Sequence, residues 1–277
     1  MRVFFALMAV QVTACTSPSS SDPDDTGGPT VDTAATPSTT TDTDATPVEP
    51  GDPGVTGRLV GPDGAPLAVE PVLCCQQDSC AVGETGIDGT FSFAEDPGSL
   101  VAVKTHHDLY RVPRHGAALA PAEIVADATI ELGDVYVPAL PTGVPVGTGD
   151  EPRTLDVGGG VQLTVVPSDL VPDLGVVLYD LAAAPIGEAW IPHYPDAEGR
   201  EVVAVFAMHP FATRSGSPVA VSVPSDLAAG TEVSLFSVSH LDGTLSEPVP
   251  GVADGTRVTT EAGEGLEWLT HVVVTVP

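Results

Sequence analysis

Residues 54–93 read GVTGRLVGPDGAPLAVEPVLCCQQDSCAVGETGIDGTFSF, and this stretch decides the fold because turn signals separate three strand-like runs. The segment GPDG at residues 61–64 has proline where a turn requires a φ of about −65°, with Asp and Gly after it to close the reversal. Asp88 and Gly89 predict a hairpin with a primed turn, because both residues tolerate positive φ. Residues 90–93 then alternate polar and apolar side chains, as a half-buried strand does.

Two motifs in this stretch follow the order found in a known domain family. Residues 57–67 fit the pattern G-x-L-x-G-x-D-G-x-P-L, and residues 85–93 fit T-x-x-D-G-x-F-x-F. In this order the chain resembles the carboxypeptidase regulatory-like domain over residues 53–139. The resemblance implies a small β-sandwich of the prealbumin type, normally accessory to something else. It implies no functional residue, because the shared positions are turn residues.

The composition favours many short strands over long helices. The 277 residues include 28 prolines and 29 glycines, and the net charge is −29, from 38 acidic and 9 basic residues. Nucleic acids and anionic membrane surfaces are bound through clustered Lys or Arg, so we expect no nucleic-acid partner. We predict an all-β protein, with two tandem β-sandwich modules after an export signal and a disordered acidic tether.

The amino terminus predicts an export signal at residues 1–14. Arg2 precedes an apolar run, and VTAC at residues 12–15 places small residues before a cysteine. This resembles the bacterial lipoprotein signal, which implies cleavage before Cys15 and acylation of Cys15. An ordinary secretory signal with a chance cysteine is the alternative. The run is far shorter than the roughly 18 apolar residues that a spanning helix requires.

Residues 15–52 predict a tether. The segment contains no Lys, Arg or aromatic residue and is rich in Thr, Ser, Pro and Asp, which predicts disorder. Fully extended, it would reach about 120 Å, enough to clear the lipid headgroups. No D-x-D-x-D-G loop predicts a calcium site. Thr16 follows the cysteine in place of the Asp that resembles an inner-membrane retention signal, so we expect an outer-membrane lipoprotein of the cell envelope, with exposure at the cell surface as a further option.

Two folded modules are predicted, at residues 53–139 and 140–277, because the Pro, Gly and Thr cluster at residues 138–150 is a plausible boundary. Short, turn-bounded, β-rich runs predict the remaining strands. They are residues 100–104, 108–112, 127–132 and 134–137 in the first module, and 160–166, 201–208, 219–223, 231–238 and 271–276 in the second.

Three cysteines lie close together in the first module, in a compartment where disulfides are expected. Neighbouring strand residues face opposite sides, so only one of Cys74 and Cys75 can easily point toward Cys80. We favour a disulfide between Cys75 and Cys80, with Cys74 as a buried thiol. The C-C-x₄-C spacing is not that of a zinc pair.

The histidines offer the one constellation that suggests a metal site. His106 and His107 precede Asp108, with His115 beyond, and two imidazoles and a carboxylate can hold zinc. Adjacent side chains on extended backbone diverge, however, and the spacing matches neither H-E-x-x-H nor H-x₃₋₅-H. We favour a solvated loop and predict no metal, cofactor or catalytic residue, and keep a metal-dependent hydrolase as an alternative.

Three large aromatic residues suggest a sugar-stacking platform: Trp190, Tyr194 and Trp268. Large aromatics more often fill the cores of β-sandwiches, and we favour that interpretation. The segment IPHYP at residues 191–195 is nonetheless loop-like. Trp190 and Tyr194 are therefore the best candidates for a binding edge.

The sequence as a whole predicts a membrane-anchored, non-enzymatic envelope lipoprotein. Cys15 would anchor it to the lipid bilayer, the tether would space it from the membrane, and the β modules would present loops to an envelope glycan or a protein partner. A carbohydrate-binding surface protein is the second hypothesis, and it depends on exposed aromatic rings.

Overall fold

The computed structural model describes residues 52–77, 79–105, 114–173, 178–197 and 199–277, which belong to one compact unit. The predicted all-β, sandwich-type class is confirmed, because the regular structure is almost entirely β-strand. Two short 3-10 turns are described, at Pro167–Asp169 and Glu188–Trp190. Within the described ranges, no helix has the length and apolar character needed to cross a membrane. The predicted signal and nearly all of the predicted tether lie outside these ranges.

The amino-terminal half is a sandwich of two sheets, ordered β4-β1-β7 and β3-β2-β5-β6. Its strands are β1 (Gly54–Val60), β2 (Pro71–Gln76), β3 (Ser79–Glu84), β4 (Thr90–Ala94), β5 (Leu100–Thr105), β6 (Leu119–Glu123) and β7 (Thr129–Tyr136). Alternating side chains of both sheets point into one core, which includes Val55, Phe91, Val101 and Val135. β6 and β7 are edge strands, each paired on one side only.

The carboxy-terminal half is built on a second, larger sheet, ordered β8-β12-β13-β19-β15-β16-β17-β14-β10-β9, with β11 and β18 paired to β14. Its strands are β8 (Val144–Pro145), β9 (Arg153–Gly158), β10 (Val161–Val165), β11 (Leu170–Val171), β12 (Asp180–Ile186), β13 (Glu201–His209), β14 (Thr213–Pro224), β15 (Glu232–Ser237), β16 (Val249–Ala253), β17 (Arg257–Thr260), β18 (Leu266–Leu269) and β19 (His271–Val276). The sheet curls around its own core, which includes Leu163, Phe206, Leu235 and Val272.

The two halves share a third apolar core. Sheet β3-β2-β5-β6 contributes Cys75, Ala102 and Leu119, and the carboxy-terminal half contributes residues that include Phe236 and Val273. Burying a side chain of Leu or Phe size contributes about 1.5–3 kcal/mol. Sheet-on-sheet packing thus joins the halves.

The turn prediction at residues 61–64 is confirmed, because the Gly64 amide donates to the Gly61 carbonyl at 2.9 Å. The prediction for Asp88 and Gly89 is wrong in two respects. Gly89 has a φ of 80° whereas Asp88 has no positive φ, so the turn is not primed. The turn also connects β3 to β4, which lie in different sheets, and therefore closes no hairpin. A D-G sequence therefore predicts a reversal of the chain, but it does not predict which strand the following strand pairs with.

Several strand predictions need correction. Residues 127–132 and 134–137 form the single strand β7, because Gly133 adopts a φ of 69° and places a bulge opposite β1. The predicted strand at residues 108–112 lies outside the described residues. Several strands were not predicted, among them β6 and β12, whose sequences, LAPAE and DLAAAPI, contain Ala and Pro in place of β-branched residues.

The structure brings together the predicted cysteine pair. Cys75 and Cys80 face each other across β2 and β3, and their sulfur atoms are 2.05 Å apart, at disulfide distance. Cys74 points to the opposite face of β2 and is buried in the amino-terminal core, where desolvation raises its thiol pKa. Cys75 lies in the core that joins the halves.

Replacing Cys75 and Cys80 together by Ala should lower the free energy of unfolding by about 2 kcal/mol, because the unfolded chain loses a ring of about six residues. Urea unfolding under oxidising conditions measures the change. Cys74→Ala is the matched control: it removes a sulfur atom from β2 but keeps the ring, so added reductant should still destabilise it. An unchanged midpoint in the double variant would contradict a stabilising disulfide.

Candidate functional site

A groove of about 590 Å³ runs between β6, β7 and the loop after the second 3-10 turn. Its walls are residues of the edge strands β6 and β7, and its third side is the segment from Ala189 to Pro195. Ile186 of β12 and His271 of β19 also line it. Both halves of the molecule therefore contribute to this groove.

A stacked pair of aromatic rings forms part of the groove wall. The rings of Tyr136 and Trp190 are 5.4 Å apart between centroids and 14° from parallel. Tyr136 ends β7, whereas Trp190 ends the 3-10 turn, where its amide donates to the Gly187 carbonyl at 2.8 Å. Both rings are partly buried against the core that joins the halves. Trp190 therefore lines the groove, and its role in binding stays a prediction.

Tyr194 is a core residue, which corrects its prediction as part of a binding edge. Its side chain is 3% exposed, and burial raises the pKa of its phenol. The phenol oxygen has no hydrogen-bond partner among the described residues. Asp196, two residues later, accepts a hydrogen bond from the Leu245 amide at 2.5 Å. The buried Tyr194 ring and the hydrogen bond of Asp196 fix this loop against the core, so the groove wall at Trp190 is held in place.

Trp268 lies in a different cluster and does not extend the aromatic wall. Its ring contacts His240 at 5.6 Å between centroids, and the Arg214 guanidinium lies over it at 5.7 Å. Trp190, Tyr194 and Trp268 therefore form no common platform, in agreement with the interpretation that we favoured.

His271 is a buried imidazole that lines the groove. It is 2% exposed, and its Nε2 lies 2.9 Å from the Ala117 carbonyl of the other half, which assigns the proton to Nε2. Its Nδ1 is then an acceptor, and no donor to it is found among the described residues. Desolvation lowers the pKa of His271 to about 4, although the bond to Ala117 opposes this effect. The imidazole is therefore neutral at pH 7.

Carboxylates lie along the groove. Asp134 is paired with Arg58 through two hydrogen bonds of 2.7 and 2.8 Å, and the pair lowers the pKa of Asp134. Glu123 and Glu131 are exposed, and the structure describes no ion pair for either of them. Among the residues that the structure describes, the only basic side chains that line the groove are those of His193 and His271. Hydrogen-bond acceptors therefore predominate over cations along this surface.

A second polar cluster lies between the halves. The Nζ of Lys104, the one lysine of the chain, donates to the His240 carbonyl at 2.5 Å, and His240 Nε2 is 3.1 Å from Asp173 Oδ2. Burial lowers the pKa of Lys104 to about 8, with Asp173 opposing the effect. Burial and nearby Lys104 also lower the pKa of His240. Arg114 and Asp180 form a further, bidentate pair across the halves, at 3.0 and 2.9 Å.

Four of the remaining predicted residues, Cys15, His106, His107 and Asp108, lie outside the described residues. His115 pairs with Ala139 in an isolated β-bridge. Among the residues that the structure describes, no group of three or more His, Cys, Asp or Glu side chains is arranged to hold a metal ion.

No family model matches this chain, and no curated protein matches it.

The buried His271 should make the fold sensitive to acid. Its folded pKa of about 4 lies below the usual value of about 6.5, so the unfolded chain binds the proton more tightly. The contribution of neutral His271 to stability is therefore full above pH 6.5, and it should fall by up to about 3 kcal/mol as the pH approaches 4. Chemical unfolding at a series of pH values measures the loss.

His271→Gln should reduce this loss, because a Gln amide can donate to Ala117 but does not titrate. His193→Gln, at an exposed position on the same groove, is the control and should keep the wild-type pH profile. Parallel profiles for wild type and His271→Gln would contradict the assignment.

Proposed function

We propose that this protein is a membrane-anchored, non-enzymatic lipoprotein of the cell envelope whose folded part presents the groove to a partner. The observation that carries the binding role is the groove itself, because its aromatic wall (Tyr136 and Trp190) and its acidic rim (Glu123 and Glu131) come from elements of both halves. Ligand sites are commonly concave surfaces between packed units, with a few polar groups in an apolar lining.

The anchoring part of the proposal rests on the sequence. The VTAC segment supports acylation at Cys15, and each buried CH₂ of an acyl chain contributes about 0.8 kcal/mol, so several chains anchor a protein stably. Thr16 supports an outer-membrane address. The acidic tether would then hold the folded part away from the membrane.

The resemblance to the carboxypeptidase regulatory-like domain also remains a proposal. The two-sheet sandwich formed by β1–β7 supports it, because an accessory β-sandwich is what the resemblance implies. It assigns no activity to the chain.

Carbohydrate binding is the second candidate, and the Tyr136–Trp190 pair favours it. An aromatic face suits the apolar face of a sugar ring, and Trp190 lines the groove. The metal-dependent hydrolase hypothesis depends on His106 and His107, which lie outside the described residues.

The anchoring proposal predicts that wild-type protein carries acyl chains at Cys15 and stays with the membrane, whereas Cys15→Ala is released in soluble form. Acyl-chain mass spectrometry and cell fractionation measure these outcomes. Protease treatment of intact cells then tests surface display, since a surface protein is cleaved and a periplasmic one is protected. An unmodified wild-type protein in the medium would falsify the anchor.

A further inference from the structure

The groove side chains that are available to a guest are mostly hydrogen-bond acceptors. Glu123 and Glu131 are exposed carboxylates, which only accept hydrogen bonds. Asp134 is occupied by Arg58. Within the described ranges, no Lys or Arg lines the groove. A guest that satisfies these groups must supply donors, and an anionic guest would meet uncompensated negative charge.

The aromatic pair adds a requirement for shape. Trp190 and Tyr136 are stacked on each other, so each ring has one face covered by the other, and the pair costs little entropy to order. Partly buried Ile130, Leu132 and Ile191 continue the lining. A guest with one apolar face and many donors matches this surface, and a pyranose ring has both properties.

A peptide strand fits less well, although edge strands often bind peptides by main-chain pairing. In β6, Pro121 removes one backbone N–H from the middle of the strand. In β7, the bulge at Gly133 interrupts the regular register. Both features are known to protect sheet edges from added strands. Neither edge offers an uninterrupted ladder to a peptide.

We propose that the groove binds a glycan that carries free amino groups, with a pyranose ring against Trp190 and its ammonium group beside Glu123 and Glu131. This inference rests on the binding role proposed above and names its ligand class. The acidic rim distinguishes an amino sugar from its acetylated or acidic counterparts, while the aromatic wall holds the ring.

Calorimetry with the full-length protein tests the proposal with three tetrasaccharides of matched length: a β-1,4-linked glucosamine tetramer, its N-acetylated form and a galacturonate tetramer. We expect the glucosamine tetramer to bind about tenfold or more tightly than the acetylated form, and the galacturonate not to bind. Equal affinity for all three, or preference for the acidic sugar, would overturn the proposal.

Variants then locate the binding. Trp190→Ala should weaken binding of the glucosamine tetramer by about tenfold or more, whereas Trp268→Phe, in the other aromatic cluster, should not. Glu123→Gln combined with Glu131→Gln should weaken the glucosamine tetramer more than the acetylated one. These two positions are exposed, so their replacement tests the site without disturbing the core.

The charge control is Glu261→Gln combined with Glu264→Gln, which removes the same charge at exposed positions that do not line the groove. If this control weakens binding as much as the groove variant does, the attraction is nonspecific and the proposal fails. A heptapeptide of alternating Lys and Leu is the competing ligand. If it binds more tightly than the glucosamine tetramer, and loses that affinity in Trp190→Ala, the groove takes a peptide instead.

The outcome is separable from the anchoring proposal. Sugar binding by a protein that is not acylated would support the groove assignment and contradict the anchoring proposal. An acylated protein that binds none of the sugars would contradict the proposed ligand class and still support the anchoring proposal.

Discussion

The apolar core between the two halves is the contact on which the rest of the structure depends. It joins sheet β3-β2-β5-β6 to the face of the larger sheet that carries Phe236 and Val273. Each half also has a core of its own, so the shared core is needed for their mutual position and not for the existence of either. The groove exists only because that position is fixed, since its walls come from both halves.

Polar contacts make this apolar interface specific. Lys104 reaches the His240 carbonyl, His271 reaches the Ala117 carbonyl, and Arg114 pairs with Asp180. A buried polar group costs free energy unless it meets its partner, so a shifted packing of the halves would leave several such groups unsatisfied. Apolar burial supplies most of the attraction, and these contacts select one arrangement.

The fold was predictable from sequence where the signal is local. The turn at residues 61–64, the alternation at residues 90–93 and the pairing of Cys75 with Cys80 each depend on residues within a few positions of one another. D-G-T sequences show the same locality: at Asp88, Asp242 and Asp254, the carboxylate accepts from both the amide and the hydroxyl of the Thr two residues later. Local chemistry of this kind can be read directly from a chain.

The groove was predictable only in part, because it is made by distant contacts. The loop at residues 191–195 pointed to Trp190, but nothing near Trp190 identified Tyr136 as its stacking partner. His271 and its acceptor Ala117 are 154 positions apart, and His271 lies in a run of Val and Thr that indicates only a strand. Because β6 contains Ala and Pro, the sequence did not predict this wall of the groove.

The strand that follows the predicted tether has a mechanical consequence. β1 is the central strand of its sheet, hydrogen-bonded to β4 on one side and to β7 on the other, and Thr129 of β7 also bonds to the carbonyl of Asp52 at 3.0 Å. A pulling force that enters through residue 52 must therefore load two ladders of hydrogen bonds together before it can detach the first strand.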